Sequence, residues 1–340
     1  MSFIESINKS LEYFLAKDKN NYLIGEDLLD PYGGAFKATK NLSNKFKNQV
    51  ISMPISESGF VGMATGMTFS KINVVVEIMF SDFLPIISDT LINTASKINL
   101  ISKDLIQGKL FIRTPNGGRR GYGPIHSQSL EKIFFGFSEI NLISLNIAID
   151  PIEIYKKLFS QNYSNKINLI LETKTDYPKK ILSESNLKEI GFSRKLINTK
   201  LGIVELYNSS SQDSDVDFLF LCYGGMLDET IKAATKLFIE EEMTSKILIP
   251  HQINPIENEL VDEIYSNNFK KMVVVEENTI DNSWGSLILS KLISFEKNKN
   301  FFNDIILLGS ASELISANVK KEKDNLLDSE KIFNKLLKSL

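Results

Sequence analysis

A chain of 340 residues with 42 acidic and 39 basic side chains carries a formal charge of −3, which gives no concentrated basic surface of the kind nucleic acid binding needs. Its 43% apolar content is enough for ordinary buried cores, and the length suggests about two domains. The single cysteine, Cys222, excludes an intrachain disulfide, and its apolar surroundings predict a buried thiol.

The N-terminus does not have the form of a signal peptide. Phe3, Ile4, Ile7, Leu11, Phe14 and Leu15 recur at helical spacing behind Ser2 and Glu5, which fit a capping box. That predicts an amphipathic helix over 2–17 and favours the cytoplasm. No run approaches the ~20 apolar residues a bilayer span requires.

Short apolar runs then alternate with helix-period segments, the pattern of a parallel sheet covered on both faces. Strands are predicted at 22–24, 50–52, 72–78, 109–113, 141–145 and 167–171, with helices over 58–70, 83–101, 127–136 and 151–160. Residues 176–215 lose this rhythm and read as a connecting segment with some local structure. It holds Pro178 and a polar run at 208–214. Strands resume at 218–222, 246–249, 272–275 and 304–307, separated by helices at 226–242, 255–267 and 284–296. The expected architecture is two doubly wound α/β domains, residues 1–190 and 191–340.

Several chemistries lack their signatures. There is no G-x-x-x-x-G-K-[ST] loop, no G-x-G-x-x-G after the first strand and no G-x-S-x-G elbow. With His126, His251 and one cysteine, a transition-metal site is not expected.

Three segments do carry signal. In the first, Met53-Pro54-Ile55-Ser56-Glu57 runs into a helix bearing Gly59, Gly62 and Gly66 on one face. Each interior glycine costs a helix about 1 kcal/mol relative to alanine, a loss tolerated where another backbone must approach closely. Glu57 also fits a helix-start charge stabilised by the macrodipole alone, and spacing leaves both readings open. The second is the Gly/Pro-rich loop from Arg113 to Ser129. It holds Arg119, Arg120 and His126, where only four arginines occur in the whole chain. Such a loop beyond a strand's carboxyl end suits an anion, although a structural loop with a surface histidine has the same pattern. The third, Glu77-Ile78-Met79-Phe80-Ser81-Asp82-Phe83, ends a strand with an aromatic that would serve equally in a core.

Together, Gly25-Glu26-Asp27, Tyr32 to Lys37, Pro54 to Glu57 with Gly59 to Gly62, Glu77 to Phe80 and His126 to Ser129 occur in an order and spacing that resemble a known family. It is the beta subunit of the 2-oxo acid (pyruvate or branched-chain) dehydrogenase decarboxylating component, within the transketolase-like thiamine diphosphate enzymes. The resemblance implies a pyrimidine-binding first domain and a transketolase C-terminal-like second one. It implies that Glu57 hydrogen-bonds the cofactor's aminopyrimidine and activates it, that Phe83 stacks on that ring, and that Ile55 and Met79 line the same pocket. His126 would face the substrate, handling protons or the oxo acid carboxylate. Glu57 and His126 are thus the catalytic candidates. Arg119 and Arg120, a pair not general in such subunits, would read an extra anionic group on the substrate.

Relatives of this kind hold the diphosphate through Mg2+, using a Gly-Asp-Gly segment that this chain lacks. The resemblance therefore implies an alpha-type partner that holds most of the metal site, in an alpha2beta2 heterotetramer, with a lipoyl acyltransferase core as a further partner of a conventional component. Two features depart from the family. The segment 161–167 is longer than expected around the monovalent-cation site of some relatives. Where relatives carry Asp-Leu-Arg before a proline, this chain reads Ile249-Pro250-His251-Gln252-Ile253-Asn254-Pro255, with His251 expected as a loop or interface residue. That second departure points to an alternative, a carboligase or acyl-transfer subunit not docked to a dehydrogenase complex; a separate alternative is a non-catalytic structural partner that keeps the fold.

Overall fold

The computed structural model describes residues 1–103, 105–160, 167–208, 215–295 and 304–339. The expectations for 161–166 and for the polar run at 209–214 lie outside those residues. The first element, α1 (Phe3–Lys17), starts at a complete capping box: the Ser2 hydroxyl accepts the Glu5 amide, and the Glu5 carboxylate accepts the Ser2 amide. Phe3, Ile7, Leu11, Phe14 and Leu15 form its buried face, each contributing roughly 1.5–3 kcal/mol of transfer free energy.

The strands β1 (Asn21–Gly25), β2 (Val50–Ser52), β3 (Asn73–Glu77), β4 (Leu110–Asn116), β5 (Ile140–Leu145) and β6 (Ile167–Thr173) pair in parallel, in the spatial order β5-β6-β4-β3-β1-β2. All residues of β4, β5 and β6 are buried, which is why these stretches read as continuous apolar runs. The connecting helices are α2 (Leu42–Lys45), α3 (Glu57–Met67), α4 (Leu84–Asp89), α5 (Ser96–Ile101) and α6 (Pro151–Leu158), with a π-helical turn, Thr90–Ala95, joining α4 to α5.

The predicted helix over 127–136 is not formed. Only a short 3-10 turn, Glu131–Phe134, occurs there. Asp82 captures the Gln128 amide at 3.0 Å and Ser81 donates to the Gln128 carbonyl at 3.0 Å, so this backbone bonds to side chains instead of to its own helical ladder.

The segment expected as a connector is instead structured. It holds α7 (Glu184–Glu189) and an antiparallel hairpin of β7 (Phe192–Ile197) and β8 (Ile203–Asn208). This hairpin edges a second sheet with β9 (Val216–Cys222), β10 (Ser245–Pro250), β12 (Phe269–Val275) and β13 (Ile305–Leu308), in the order β13-β12-β9-β10-β8-β7. Between β10 and β12 the chain crosses back, and β11 (Gln252–Asn254) pairs antiparallel with β5, completing a seven-stranded first sheet. The second sheet is covered by α8 (Met226–Glu241), α9 (Asn258–Ser266), α10 (Trp284–Ser294), α11 (Val319–Asn325) and α12 (Ser329–Leu337). The two main apolar clusters each draw members from both sheets. Cys222 is fully buried, and burial pushes its thiol up to about 12. No helix among the described residues is long and apolar enough to cross a membrane.

Candidate functional site

Parallel pairing brings the carboxyl ends of β1, β2, β3, β4 and β6 to one edge of the first sheet. Each strand delivers a different group there: β1 leads to Glu26, β2 through Pro54 to Glu57, β3 to Met79–Phe83, β4 to the loop containing Arg119, Arg120 and His126, and β6 to Lys174. Close approach at this edge demands glycine. A Cβ on Gly25 would stand 2.7 Å from the Glu77 carbonyl.

Beneath the edge lies a buried ionic cluster. Arg113 is completely buried and pairs with both Glu77 and Glu172. Glu77 also accepts the Ala35 amide at 2.8 Å, while Glu172 accepts the Tyr155 hydroxyl at 2.5 Å and the Tyr177 hydroxyl at 2.8 Å. Burial opposes the Arg113 charge, yet Glu172 and Glu77 outweigh it and carry its pKa above the ordinary arginine range. Arg113 is therefore part of the floor of the site and out of reach of a ligand.

Glu57 is the first residue of α3 and is 7% exposed. Glu26, buried nearby, has its carboxyl raised by burial and then by the charges of Glu57, Asp27 and Glu77. One Glu26 oxygen is buried without a hydrogen-bond partner. Glu57 at the start of α3 and Glu26 just after β1, one of whose oxygens is orphaned, form an acidic pair suited to a proton-sharing nitrogen base.

Met79 and His126 meet across a cavity of roughly 460 Å³, lined also by Tyr32, Ala35, Phe36, Phe80 and Tyr122. The His126 imidazole stands edge-on to Phe80 and Phe83, with ring centroids 4.7 and 5.6 Å apart. Neither Glu57 nor Ile55 lines this cavity. Ile55 is 85% exposed at the mouth of α3. Along that helix, a Cβ on Gly62 or Gly66 would meet nothing within 4 Å, so the backbone approach expected at these two glycines does not come from the described residues of this chain.

The arginine pair separates. Arg120 is exposed, its guanidinium 5.1 Å from the Phe36 ring centroid and 5.6 Å from that of Tyr122, with one bond to the Lys174 carbonyl at 3.2 Å. It borders the aromatic cavity. Arg119, held at φ +71°, turns the other way: its guanidinium bonds to Glu277 at 3.3 Å and to the Leu327 carbonyl, and its amide to Glu322 at 3.0 Å. It ties the loop to the second sheet's half of the chain.

Sequence reasoning gave no role to Lys174, Tyr122, Tyr32 or Phe36, the last two within a stretch that carried only the family resemblance, yet the three aromatics line the cavity and Lys174 bonds to its His126 loop. The aromatics carried a weak signal, lying within or beside glycine-rich turns. Lys174 had none, in a chain that uses lysine almost everywhere. His251 is fully buried, with Nδ1 against the Gly202 carbonyl at 2.9 Å; burial pushes its pKa down to about 4.

Residues 1–179 match the family model described as transketolase, pyrimidine binding domain. The chain is 36% identical over 129 residues to the pyruvate dehydrogenase E1 component subunit beta-2, mitochondrial, of Oryza sativa subsp. japonica; the match covers 38% of this chain and only 34% of that protein. A longer match, 24% identical over 292 residues, links it to the acetoin:2,6-dichlorophenolindophenol oxidoreductase subunit beta of Bacillus subtilis (strain 168), covering 82% of this chain and 79% of that one. Among solved structures, one titled "Split gene transketolase, inactive beta4 tetramer" superposes with a TM-score of 0.70 over 99% of this chain and 98% of the other, at 14% identity, a likeness of fold alone.

Proposed function

Because this chain belongs to the transketolase pyrimidine-binding domain family, we propose that it is the beta-type subunit of a thiamine diphosphate-dependent enzyme that decarboxylates a 2-oxo acid. The observation that carries this reading is the buried acidic pair at the start of α3. Glu57 is buried there within electrostatic reach of Glu26, one of whose oxygens has no partner, and a ring nitrogen of an aminopyrimidine fits such a group. When bound, the cofactor supplies a nucleophilic carbon and an electron sink. Glu57 would hold a proton at the ring nitrogen and so favour the imino tautomer, with Phe83, Ile55 and Met79 packing around the ring. His126 would orient the oxo acid carboxylate and move a proton at the cavity wall. Arg120 would meet a further anionic group, whereas Arg119 is committed to Glu277 and Leu327.

In this reading residues 1–190 are the pyrimidine-binding unit and 191–340 the C-terminal-like unit. Mg2+ and the diphosphate would be gripped mainly by an alpha-type subunit in a cytoplasmic alpha2beta2 assembly, since this chain has no Gly-Asp-Gly segment. Exposure of Ile55, Ile86 and Met63 around α3 supports a covering partner there. A second reading, an acyl- or aldehyde-transfer subunit without an acyltransferase core, is favoured by the Ile249 to Pro255 departure and by the long match to the acetoin-named relative. The test is reconstitution with the alpha-type chain, thiamine diphosphate and Mg2+. Oxo acid decarboxylation is expected, and Glu57→Gln should lower it by about 100-fold or more. Full activity in that variant would remove the mechanism, and no activity in the wild type would favour a structural partner. Product analysis with and without a lipoyl acceptor separates the two enzymatic readings.

A further inference from the structure

Lys174 follows β6, and its side chain is completely withdrawn from solvent. A lysine takes such a place only when its charge is matched by partners. Its Nζ donates to the His126 carbonyl at 2.7 Å, stands 5.2 Å from the Phe80 ring centroid and lies 4.0 Å from Asp82 Oδ2. That Asp82 oxygen is buried and has no hydrogen-bond partner, while Oδ1 accepts the Gln128 amide at 3.0 Å and its side-chain nitrogen at 3.1 Å. The Lys174 carbonyl accepts from Arg120 at 3.2 Å, and its amide donates to the Asn116 carbonyl at 3.0 Å. One residue thus holds the loop at Arg120 and His126 directly, and at Gln128 through Asp82. The amine does not line the cavity and its side chain is fully buried.

We propose that Lys174 is a positioning residue: its ammonium tethers the loop at the His126 carbonyl and thereby fixes the direction of the His126 imidazole. This rests on the reading that His126 faces the substrate. Phe80 links the two groups, since its ring meets both the imidazole and the ammonium. Burial pulls the Lys174 ammonium down to about 8; Asp82, Glu277 and Glu322 act against that fall, and Arg120 adds to it. The tether is therefore charged below about pH 8 and becomes a weaker, neutral donor above it.

The chain contains two histidines, His126 and His251, so carbon-13 labelling of the imidazoles gives two assignable NMR signals from the whole chain without any cofactor. His251, buried on Gly202, is the internal control. Lys174→Met keeps the apolar stem and removes the charge. The expected result is a His126 signal that shifts or broadens in Lys174→Met while His251 stays fixed, with circular dichroism confirming the fold. An unmoved His126 signal in folded Lys174→Met would overturn the proposal. If that variant does not fold, Lys174→Gln, which also removes the ammonium at the His126 carbonyl, should move the His126 signal alone, and an unmoved signal in folded Lys174→Gln is equally decisive. In the reconstituted enzyme, Lys174→Met should lower kcat about tenfold or more with little change in KM, and should cost nothing further in a His126→Ala background. A moved His126 signal in a chain whose reconstituted wild type releases no carbon dioxide would sink the functional reading and leave the tether standing.

Discussion

At the carboxyl edge of the first sheet, β3 and β4 run out into segments whose side chains border an open aromatic cavity. At the same edge of the second sheet, β9 and β12 run into Tyr223 and Glu276 to Asn278, and every one of these polar groups is engaged. Tyr223 donates to Glu131 at 2.7 Å and Asn278 to the same oxygen at 3.2 Å. Glu277 accepts the Gly118 amide at 2.8 Å and the Ser129 hydroxyl at 3.1 Å. Glu276 accepts the Trp284 and Gly285 amides at 3.1 and 3.0 Å, at the start of α10. Similar strand ends therefore serve two ends: one borders an open aromatic cavity, and at the other Tyr223, Glu277 and Asn278 fasten the two halves of the chain together.

That contrast can be broken or sharpened by substitution. The largest expected effect lies under the first edge, where Arg113→Met leaves Glu77 and Glu172 buried without their cation. A loss of about 3–5 kcal/mol in urea denaturation is expected; a neutral result would mean the cluster is not charged as drawn. At the second edge, Tyr223→Phe should cost about 1–3 kcal/mol by leaving Glu131 under-bonded, with substrate KM unchanged. The arginine pair divides along the same line. Arg120→Ala should raise KM about tenfold, equivalent to roughly 1.4 kcal/mol, at constant melting temperature. Arg119→Ala should do the reverse, costing about 1 kcal/mol of stability. Identical behaviour of the two variants would erase the distinction.

A further test, read from pH dependence instead of from a fixed-pH difference, concerns Glu276, whose carboxyl burial pushes up to about 7. A raised carboxyl pKa means the folded chain holds that proton longer than the unfolded one. Its stabilising share is full below the unfolded value and is lost as pH rises through 7. Wild type should therefore lose melting temperature relative to Glu276→Gln as the pH rises from the ordinary carboxylate range to about 7, and level off above it.

Much of the first sheet was legible because its strands are buried on both faces and read as apolar runs, as at Val74-Val75-Val76. The hairpin of β7 and β8 was not. Ser193, Arg194 and Lys195 give β7 the polarity of a linker, and the short apolar run of β8 stands between that stretch and the polar run at 208–214. The helix expected over 127–136 yielded to Asp82 and Ser81, more than forty residues away in sequence, a competition that local periodicity cannot register. Arg119 and Arg120 looked equivalent as neighbours. Their fates differ because Glu277, Glu322 and Leu327 claim one of them from the far end of the chain. Of the motif residues, Met79 and His126 line one cavity and Phe83 stands against the His126 ring, whereas Lys174 reaches the His126 carbonyl through a contact no local pattern announces.

The most direct measurement is deuterium exchange at the thiazolium carbon of thiamine diphosphate bound to the assembled wild-type and Glu57→Gln proteins. If Glu57 activates the cofactor, exchange should slow by about 100-fold or more in the variant while cofactor affinity is largely retained. Equal exchange rates in the two proteins would contradict that role.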